Sequence, residues 1–531
     1  MKRALATSRT ICAILAALWT ASASYGLVEV NVTRVGFPTL QRGDVVRSGA
    51  WIPIIVDLSL VDKQSFSGSI RVAQFDADGD ECFDRVDVHL RAETGGTQRH
   101  YLYVLANPSR SQGRFVLELF NDEGEPVKVL SQGELTFRAF PAEQPAVIGD
   151  DDIVILSVST GAIGRVQDLV GPDQQILYYR PLHIGHISPS DLPELWIGLE
   201  TVDFVIWDDA RPEELTERQV AALLEWVRQG GTLLLAASRT AGSLRLTKAI
   251  DAVLPVDLGA IVPVHNLPGV RKALLATSDV ASARRTGRRD NQRDTDVPWW
   301  DVPFDAAIPL VKCEIRAGST RVPNDRNNDS NVITRRRVGR GHVIFSAVTL
   351  RDLLGSEGSA LEFYQELFHL RVLDKSDQAP PDRVTLFPHV VSAVAFATSG
   401  SVYLLVAAVF SIGYVLAATF GSWTLLGTRG LRRHSWSAFA ITGITASLLS
   451  VVAVNSLRGF GETLHQISIV DAEAGDRYGY ATVFFGVKTG TDRRLDLWLP
   501  SDRLGATKPV ATTCFLRPIP AGNDPTEAAT S

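Results

Sequence analysis

Three groups of residues in this chain could carry chemistry. His183 and His186 stand three positions apart and could supply two ligands to a metal, although the sequence offers no third. Asp208 and Asp209 follow the apolar run Phe204 to Trp207, where an open α/β sheet would place its ligand-binding edge. They are the leading pocket candidates, yet an acidic loop ahead of a helix needs no function to explain it. Ser238 follows the apolar run Leu233 to Ala237 and could serve as a nucleophile only with a base and a sharp elbow. Neither is visible, so no residue is assigned a catalytic role.

The other motifs are weaker still. Asp76, Asp78, Asp80 and Glu81 do not fit the twelve-residue spacing of a calcium loop and read as a solvated acidic turn. Gly161-Ala162-Ile163-Gly164 lacks the spacing of a dinucleotide fingerprint and reads as a strand-to-helix turn. Cys82, Cys313 and Cys514 lie in three different regions, with no CxxC and no Cys/His cluster, so at most one disulfide and no zinc site are expected. No metal or cofactor is expected. A net charge of −6 over 531 residues, with dispersed basic residues, gives no electrostatic case for nucleic acid.

A chain of 531 residues exceeds one ordinary core, and the pattern of its elements divides it. Residues 150–375 open with the continuous apolar run Ile153 to Val158, as in a parallel sheet covered on both faces. Phe204 to Trp207 is a second such run. Thr216 with Gln219 then forms a capping box, Val220, Leu223, Leu224 and Val227 make one apolar helix face, and Gly230 is placed to end the helix. Thr232 to Ala237 returns as a strand, so the order requires a crossover and an open α/β parallel sheet. Residues 255–335 read as an elaboration on that core. It holds a polar charge-mixed loop from Arg284 to Asp296, the pair Trp299-Trp300, and a hairpin between Leu310–Ile315 and Val332–Thr334.

This stretch resembles the class I glutamine amidotransferase-like, flavodoxin-like fold. Asp203 to Trp207, Leu215 to Gly231, Thr232 to Ser238 and the closing run Val338 to Ala347 carry the resemblance. It implies a nucleophilic Cys directly after the strand Thr232 to Ala237, and a His-x-Glu downstream. This chain has Ser238-Arg239-Thr240 at the first place and nothing at the second, so the resemblance implies a degenerate, non-catalytic relative in a bacterial envelope membrane protein. His183-Ile184-Gly185-His186 also copies the short signature of class I aminoacyl-tRNA synthetases, without its companion lysine motif.

Residues 27–140 alternate apolar and polar residues in seven short runs separated by turns such as Arg42-Gly43-Asp44, which points to an all-β, immunoglobulin-like sandwich. The N-terminus, 1–23, reads as a signal peptide: Lys2, Arg3 and Arg9, then Ile11 to Leu18, then Ala21-Ser22-Ala23. No charged residue occurs from Val390 to Gly427, and transmembrane helices are expected over 401–421 and 436–457. The short loop 428–434 carries Arg429, Arg432 and Arg433, which marks it as cytoplasmic. Gly413, Ala417 and Gly421, with Gly443 and Ser447, form small-residue stripes suited to helix packing, first within the hairpin and second in a dimer. A small exported β region is expected over 462–518 and a disordered tail over 519–531.

The expected molecule is therefore a multidomain, two-pass protein of the bacterial cytoplasmic membrane, with both its N-terminal domains and its C-terminus on the extracytoplasmic side. Its expected partners are the lipid bilayer and an unidentified envelope protein. A non-catalytic scaffold or binding role leads. An exported hydrolase using the acidic and histidine residues, or an accessory subunit of a membrane transporter, are the alternatives.

Overall fold

The computed structural model describes residues 26–47, 49–62, 64–75, 81–91, 93, 96–105, 115–141, 143, 145–149, 151–159, 165–170, 180–267, 306–322, 331–354, 360–370, 390, 393–394, 400–430, 434–458, 463–471 and 480–488. The chain is rich in β-sheet and holds few helices. It divides into two compact units, one built on residues 1–381 and one on 382–516.

In the first unit, eleven strands precede residue 140: β1 (Val28–Val35), β2 (Phe37–Thr39), β3 (Gly43–Arg47), β4 (Trp51–Leu60), β5 (Phe66–Phe75), β6 (Glu81–Leu90), β7 (Gln98–Leu105), β8 (Leu117–Asn121), β9 (Pro126–Val127), β10 (Val129–Ser131) and β11 (Glu134–Thr136). One sheet has the order β11-β10-β1-β4-β7 and a second the order β6-β5-β8-β9. Period-2 alternation decides what they bury: Val28, Val30 and Val32 of β1 face inward while Glu29, Asn31 and Thr33 face water. They meet Ile54, Val56, Ile70, Leu102 and Leu117 in one core between the sheets.

β2 and β3 leave this sandwich. They join a ten-stranded sheet of order β12-β3-β2-β14-β13-β15-β16-β21-β20-β19. Its further strands are β12 (Ala146–Ile148), β13 (Ile153–Val158), β14 (Leu182–Ile187), β15 (Phe204–Asp208), β16 (Thr232–Ala236), β19 (Ser319–Arg321), β20 (Ile333–Val338) and β21 (Gly341–Ser346). The stretch β14-β13-β15-β16-β21 is parallel throughout, and every residue of β13 is buried. β20 and β2 run antiparallel at its two ends. The sheet is thus mixed beyond its parallel centre, and residues 37–47 belong to it rather than to the sandwich that the range 27–140 implies.

The helix Glu217–Arg228 makes the crossover from β15 to β16. Gln219 N–H donates to Thr216 Oγ1 at 3.2 Å, and Thr216 N–H donates to Gln219 Oε1 at 2.9 Å. Gly230, at φ 129°, turns the chain out of the helix. One expected pairing differs. Leu310–Ile315 lies in β18 (Ile308–Ile315), which pairs with β17 (Val256–Val264), whereas Val332–Thr334 leads into β20. β20 pairs instead with β19 and β21, so the hairpin that leads into it starts at Ser319 rather than at Leu310.

Polar contacts tie β3 into the large sheet through Arg47, and join the sandwich to that sheet through Arg34, Arg99 and Tyr103. Arg47 Nη2 donates to Asp203 Oδ2 and to the Asp152 carbonyl, both at 2.7 Å. Asp203 Oδ2 also accepts the Val154 N–H at 2.9 Å. Arg99 bonds to both Asp57 and Asp191, and Arg34 bonds to Asp191. Tyr103 Oη accepts the N–H groups of Glu194 and Leu195. β4 is consequently buried on both faces along its first six residues.

In the second unit, helical backbone runs through Gly400–Leu416, a π-helical stretch Ala417–Gly421 and Ser422–Thr428, and then through Ser435–Arg458. Leu405–Thr428 and Ser435–Ala453 are long and apolar enough to cross a membrane. β22 (Thr463–Asp471) and β23 (Tyr480–Lys488) form an antiparallel pair. The expected signal peptide, the acidic turn at 76–80, Gly161–Gly164, Arg284–Trp300, Arg432, Arg433, Cys514 and the tail all lie outside the described residues, as does the Cys82 side chain.

Removing the Arg47 guanidinium should leave the Asp203 carboxylate half-paired within the large sheet. Arg47→Met is expected to cost about 2–3 kcal/mol, read as a lowered midpoint in urea unfolding.

Candidate functional site

The C-terminal ends of β15 and β16 bring Asp208, Asp209 and Ser238 into one neighbourhood, since Asp208 pairs in register with Ala236. Asp208 is buried, and its carboxylate is already engaged. Its Oδ1 accepts the Leu350 N–H at 2.9 Å and the Asp209 N–H at 3.1 Å, and the Arg351 N–H also bonds to the carboxylate. Leu350 opens the short helix Leu350–Leu354 after β21, so Asp208 satisfies N–H groups that this helix leaves open. Burial pushes its pKa up to about 6, against the opposing pull of those backbone donors. The fully buried Tyr364 hydroxyl is raised well above its usual value by the same desolvation, with the charges of Asp208 and Asp168 adding to it.

Asp209 sits in the left-handed region at φ 50°, with its side chain in solvent. It accepts from Arg211 and from Thr240 Oγ1, each at 3.1 Å. Ser238 is buried, and its carbonyl accepts the Ala241 N–H at the start of the helix Ala241–Leu246. The turn after β16 thus carries a serine tucked beneath it, with Thr240 tied to Asp209.

The two histidines do not act together. Both lie on β14, where a separation of three places side chains on opposite faces. A shared metal, which their spacing allowed, would need a helix or an even strand spacing. Buried His183 Nε2 bonds Asp152 Oδ2 at 2.8 Å, and exposed His186 Nδ1 bonds Ser157 Oγ at 3.2 Å. Among the described residues no cluster of three or more His, Cys, Asp or Glu could hold a metal. Gly185 between them has its own cause: a Cβ there would lie 2.7 Å from the Pro38 carbonyl of the incoming β2. Strand packing thus accounts for His183 and Gly185 of that signature, while His186 lies on the exposed face. Cys313 is a half-buried free thiol, pushed up to about 12 by burial.

A cleft of about 580 Å³ lies at the opposite, N-terminal end of the parallel strands. Phe204, Phe368, Trp196 and Trp226 give it an aromatic lining, and Arg180, Glu200, Asp203 and His369 give it charge and hydrogen-bonding capacity. Phe204 and Phe368 pack with ring centroids 4.4 Å apart. The sequence reading missed this cleft because its walls come from segments far apart in the chain, and only the strand order assembles them.

In the membrane-length helices, the partly buried Val406, Phe410 and Tyr414 and the buried Ala418 turn toward one side. Ala438, Thr442, Gly443, Ala446 and Ser450 do so on the second helix. A Cβ on Gly443 would lie 3.9 Å from Tyr414 Oη, so Gly443 lies at the seam. Gly413, Ala417 and Gly421 are exposed, as is Ser447. The first stripe therefore lies one residue off the seam, which uses the larger Phe410 and Tyr414 instead. Arg429 is described and exposed after the first helix.

No family model matches the chain, and no curated protein matches it. Among solved structures, it is similar to a β-galactosidase from Bacillus circulans sp. alkalophilus at 15% identity and TM-score 0.21, over 41% of this chain and 30% of that one. A β-galactosidase from Rahnella sp. R3 gives 12% identity and TM-score 0.22 over 41% and 31%. A Pseudomonas fluorescens alkylpurine DNA glycosylase bound to DNA gives 16% identity and TM-score 0.14 over 24% and 33%. This chain spans about a third of the length of each of these proteins, and such low TM-scores transfer neither fold nor function.

The raised Asp208 pKa has a sign that can be measured. Protonated Asp208 favours the folded state, so its contribution is complete below about pH 4 and is lost as pH rises through about 6. Asp208→Asn should remove a pH-dependent loss of about 3 kcal/mol across that window. The difference between the two unfolding curves, variant minus unaltered chain, should therefore grow between those pH values and stay flat above them.

Proposed function

We propose that this chain is a non-catalytic, membrane-anchored envelope protein whose β-rich first unit is presented outside the cytoplasmic membrane to a ligand or protein partner. The observation that carries the proposal is the pairing of two uninterrupted apolar helices, joined by a short basic turn, with chemical groups already committed to structure. Asp208 caps a helix, His183 is held by Asp152, and no described group stands ready to activate Ser238. The contacts of Arg34 and Arg99 with Asp191, and of Tyr103 with Glu194 and Leu195, support presentation of sandwich and large sheet as one body. We also read the sandwich as immunoglobulin-like and the large sheet as a degenerate glutamine amidotransferase-like fold; its parallel centre and the crossover helix Glu217–Arg228 support the latter.

In this reading the loop holding Arg429, Arg432 and Arg433 faces the cytoplasm, because short basic loops are retained there. Alkaline phosphatase fused after Leu370 or after Lys488 should be active, and fused after Gly430 it should be inactive. Activity at Gly430 would reverse the orientation.

The raised Asp208 pKa favours a second reading, an exported hydrolase that uses the acidic and histidine residues of the large sheet, with Asp208 as its proton-carrying group. Hydrolytic activity lost in Asp208→Asn with folding retained would establish it over the scaffold. The outward Gly413, Ala417 and Gly421 favour a third reading, an accessory subunit of a transporter, for which stable co-purification with a polytopic permease is the test.

A further inference from the structure

Several arginines in the first unit meet a carboxylate, and others, such as Arg321 and Arg336, meet amide or carbonyl oxygens. Arg47 meets Asp203, Arg71 meets Glu118, Arg99 meets Asp57 and Asp191, and Arg316 meets Asp251 and Asp257. Arg335 is different. On β20 it reaches His369 at the end of the helix Ala360–Leu367, with Nη1 3.3 Å from Nε2, and its buried Nε has no hydrogen-bond partner among the described residues.

Register gathers more positive groups on the same side. Arg337 pairs directly with His342 across β20 and β21, and Arg335 lies two residues from Arg337 on the same strand face. His342 in turn pairs with Thr232, which lines the cleft together with His369. The charges acting on His342 are Arg335, Arg337 and His369, all cationic or able to become so, and with burial they hold its pKa below the usual value. Glu366 is the acid one turn back on the helix, where its carbonyl accepts the His369 N–H. Burial also disfavours the charge on Arg335. Bringing like charges together under partial desolvation is unfavourable unless an anion offsets it.

We propose that Arg335 and His369, with His342 and Arg337 beside them, form an oxyanion site for the phosphoryl group of a ligand whose body enters the aromatic cleft over Phe204 and Phe368. The planar fork of Arg335 suits two oxygens of one phosphoryl group, and His342, whose proton burial disfavours, gains one as the anion arrives. Thr232 and Phe204, neighbours in register, continue the site into the cleft. The inference deepens the binding-protein reading and rests on it for what the site is for. It does not rest on the membrane orientation, which the fusion assay tests separately.

Calorimetry on the full-length protein in detergent tests it, with inorganic phosphate, sulfate and short-chain phosphatidylglycerol as probes. Phosphate should bind in the millimolar range or tighter, and Arg335→Gln should weaken it about tenfold, with Arg335→Lys recovering part of the loss. Sulfate keeps its charge across neutral pH, so its affinity should rise from about pH 8 to about pH 6 through His342. His342→Gln should flatten that rise, and circular dichroism establishes that each variant is folded. Tighter binding of phosphatidylglycerol than of phosphate identifies a lipid headgroup; the reverse identifies a soluble phosphoester. Absence of binding by every probe, or equal affinities in folded Arg335→Gln and the unaltered chain, overturns the site.

Discussion

β14 stands at the end of a parallel run, and an edge strand with open N–H and C=O groups must be paired, covered or blunted. Here the chain's own N-terminal segment covers it. Leu40 N–H donates to the Ile184 carbonyl at 2.9 Å, and Gln41 Oε1 accepts the Ile184 N–H at 3.2 Å. That closure requires β2 to approach to within contact of Gly185, and it carries β3 to where Arg47 can reach Asp203 and Asp152. The double burial of β4 and the fixed seating of Tyr103 against Glu194 and Leu195 then follow. A sandwich and an α/β sheet become one body because one strand needed a neighbour.

The same arrangement explains what could be read in the sequence. β1, β4, β5 and β7 announce themselves through alternation or β-branched runs, and the helix Glu217–Arg228 through its capping box, apolar stripe and terminal glycine. These are local signals. The β2–β3 hairpin was invisible as part of the second sheet because Arg42-Gly43-Asp44 marks a turn without saying which edge the turn's strands will join. β18 shows the same limit: its apolar residues fit several partners, and only assembly selects β17. The candidate residues follow suit. Asp208 could be placed at a strand end from its neighbours, but the helix it caps begins 142 residues later. His183 and His186 looked paired only while their spacing was considered apart from the strand that holds them.

Chemical groups here are spent on structure in one place and left unbalanced in another. At the C-terminal end of the parallel strands, acids and hydroxyls satisfy one another. At the N-terminal end, Asp203 and Asp152 are likewise paired, with Arg47 and His183, but Arg335 reaches only a histidine. Electrostatic imbalance, rather than the presence of reactive side chains, distinguishes the two ends of the sheet.

The β2-to-β14 closure also sets an order on folding. Gln41 and Ile184 are 143 positions apart, so the N-terminal hairpin has no edge to join until about a third of the 531-residue chain has been made. Contacts of such long separation form late and slow the approach to the native state. Until then Phe37 and Val45, both fully buried in the finished sheet, remain uncovered apolar surface. The first unit becomes a single body only when its second sheet arrives to meet its beginning.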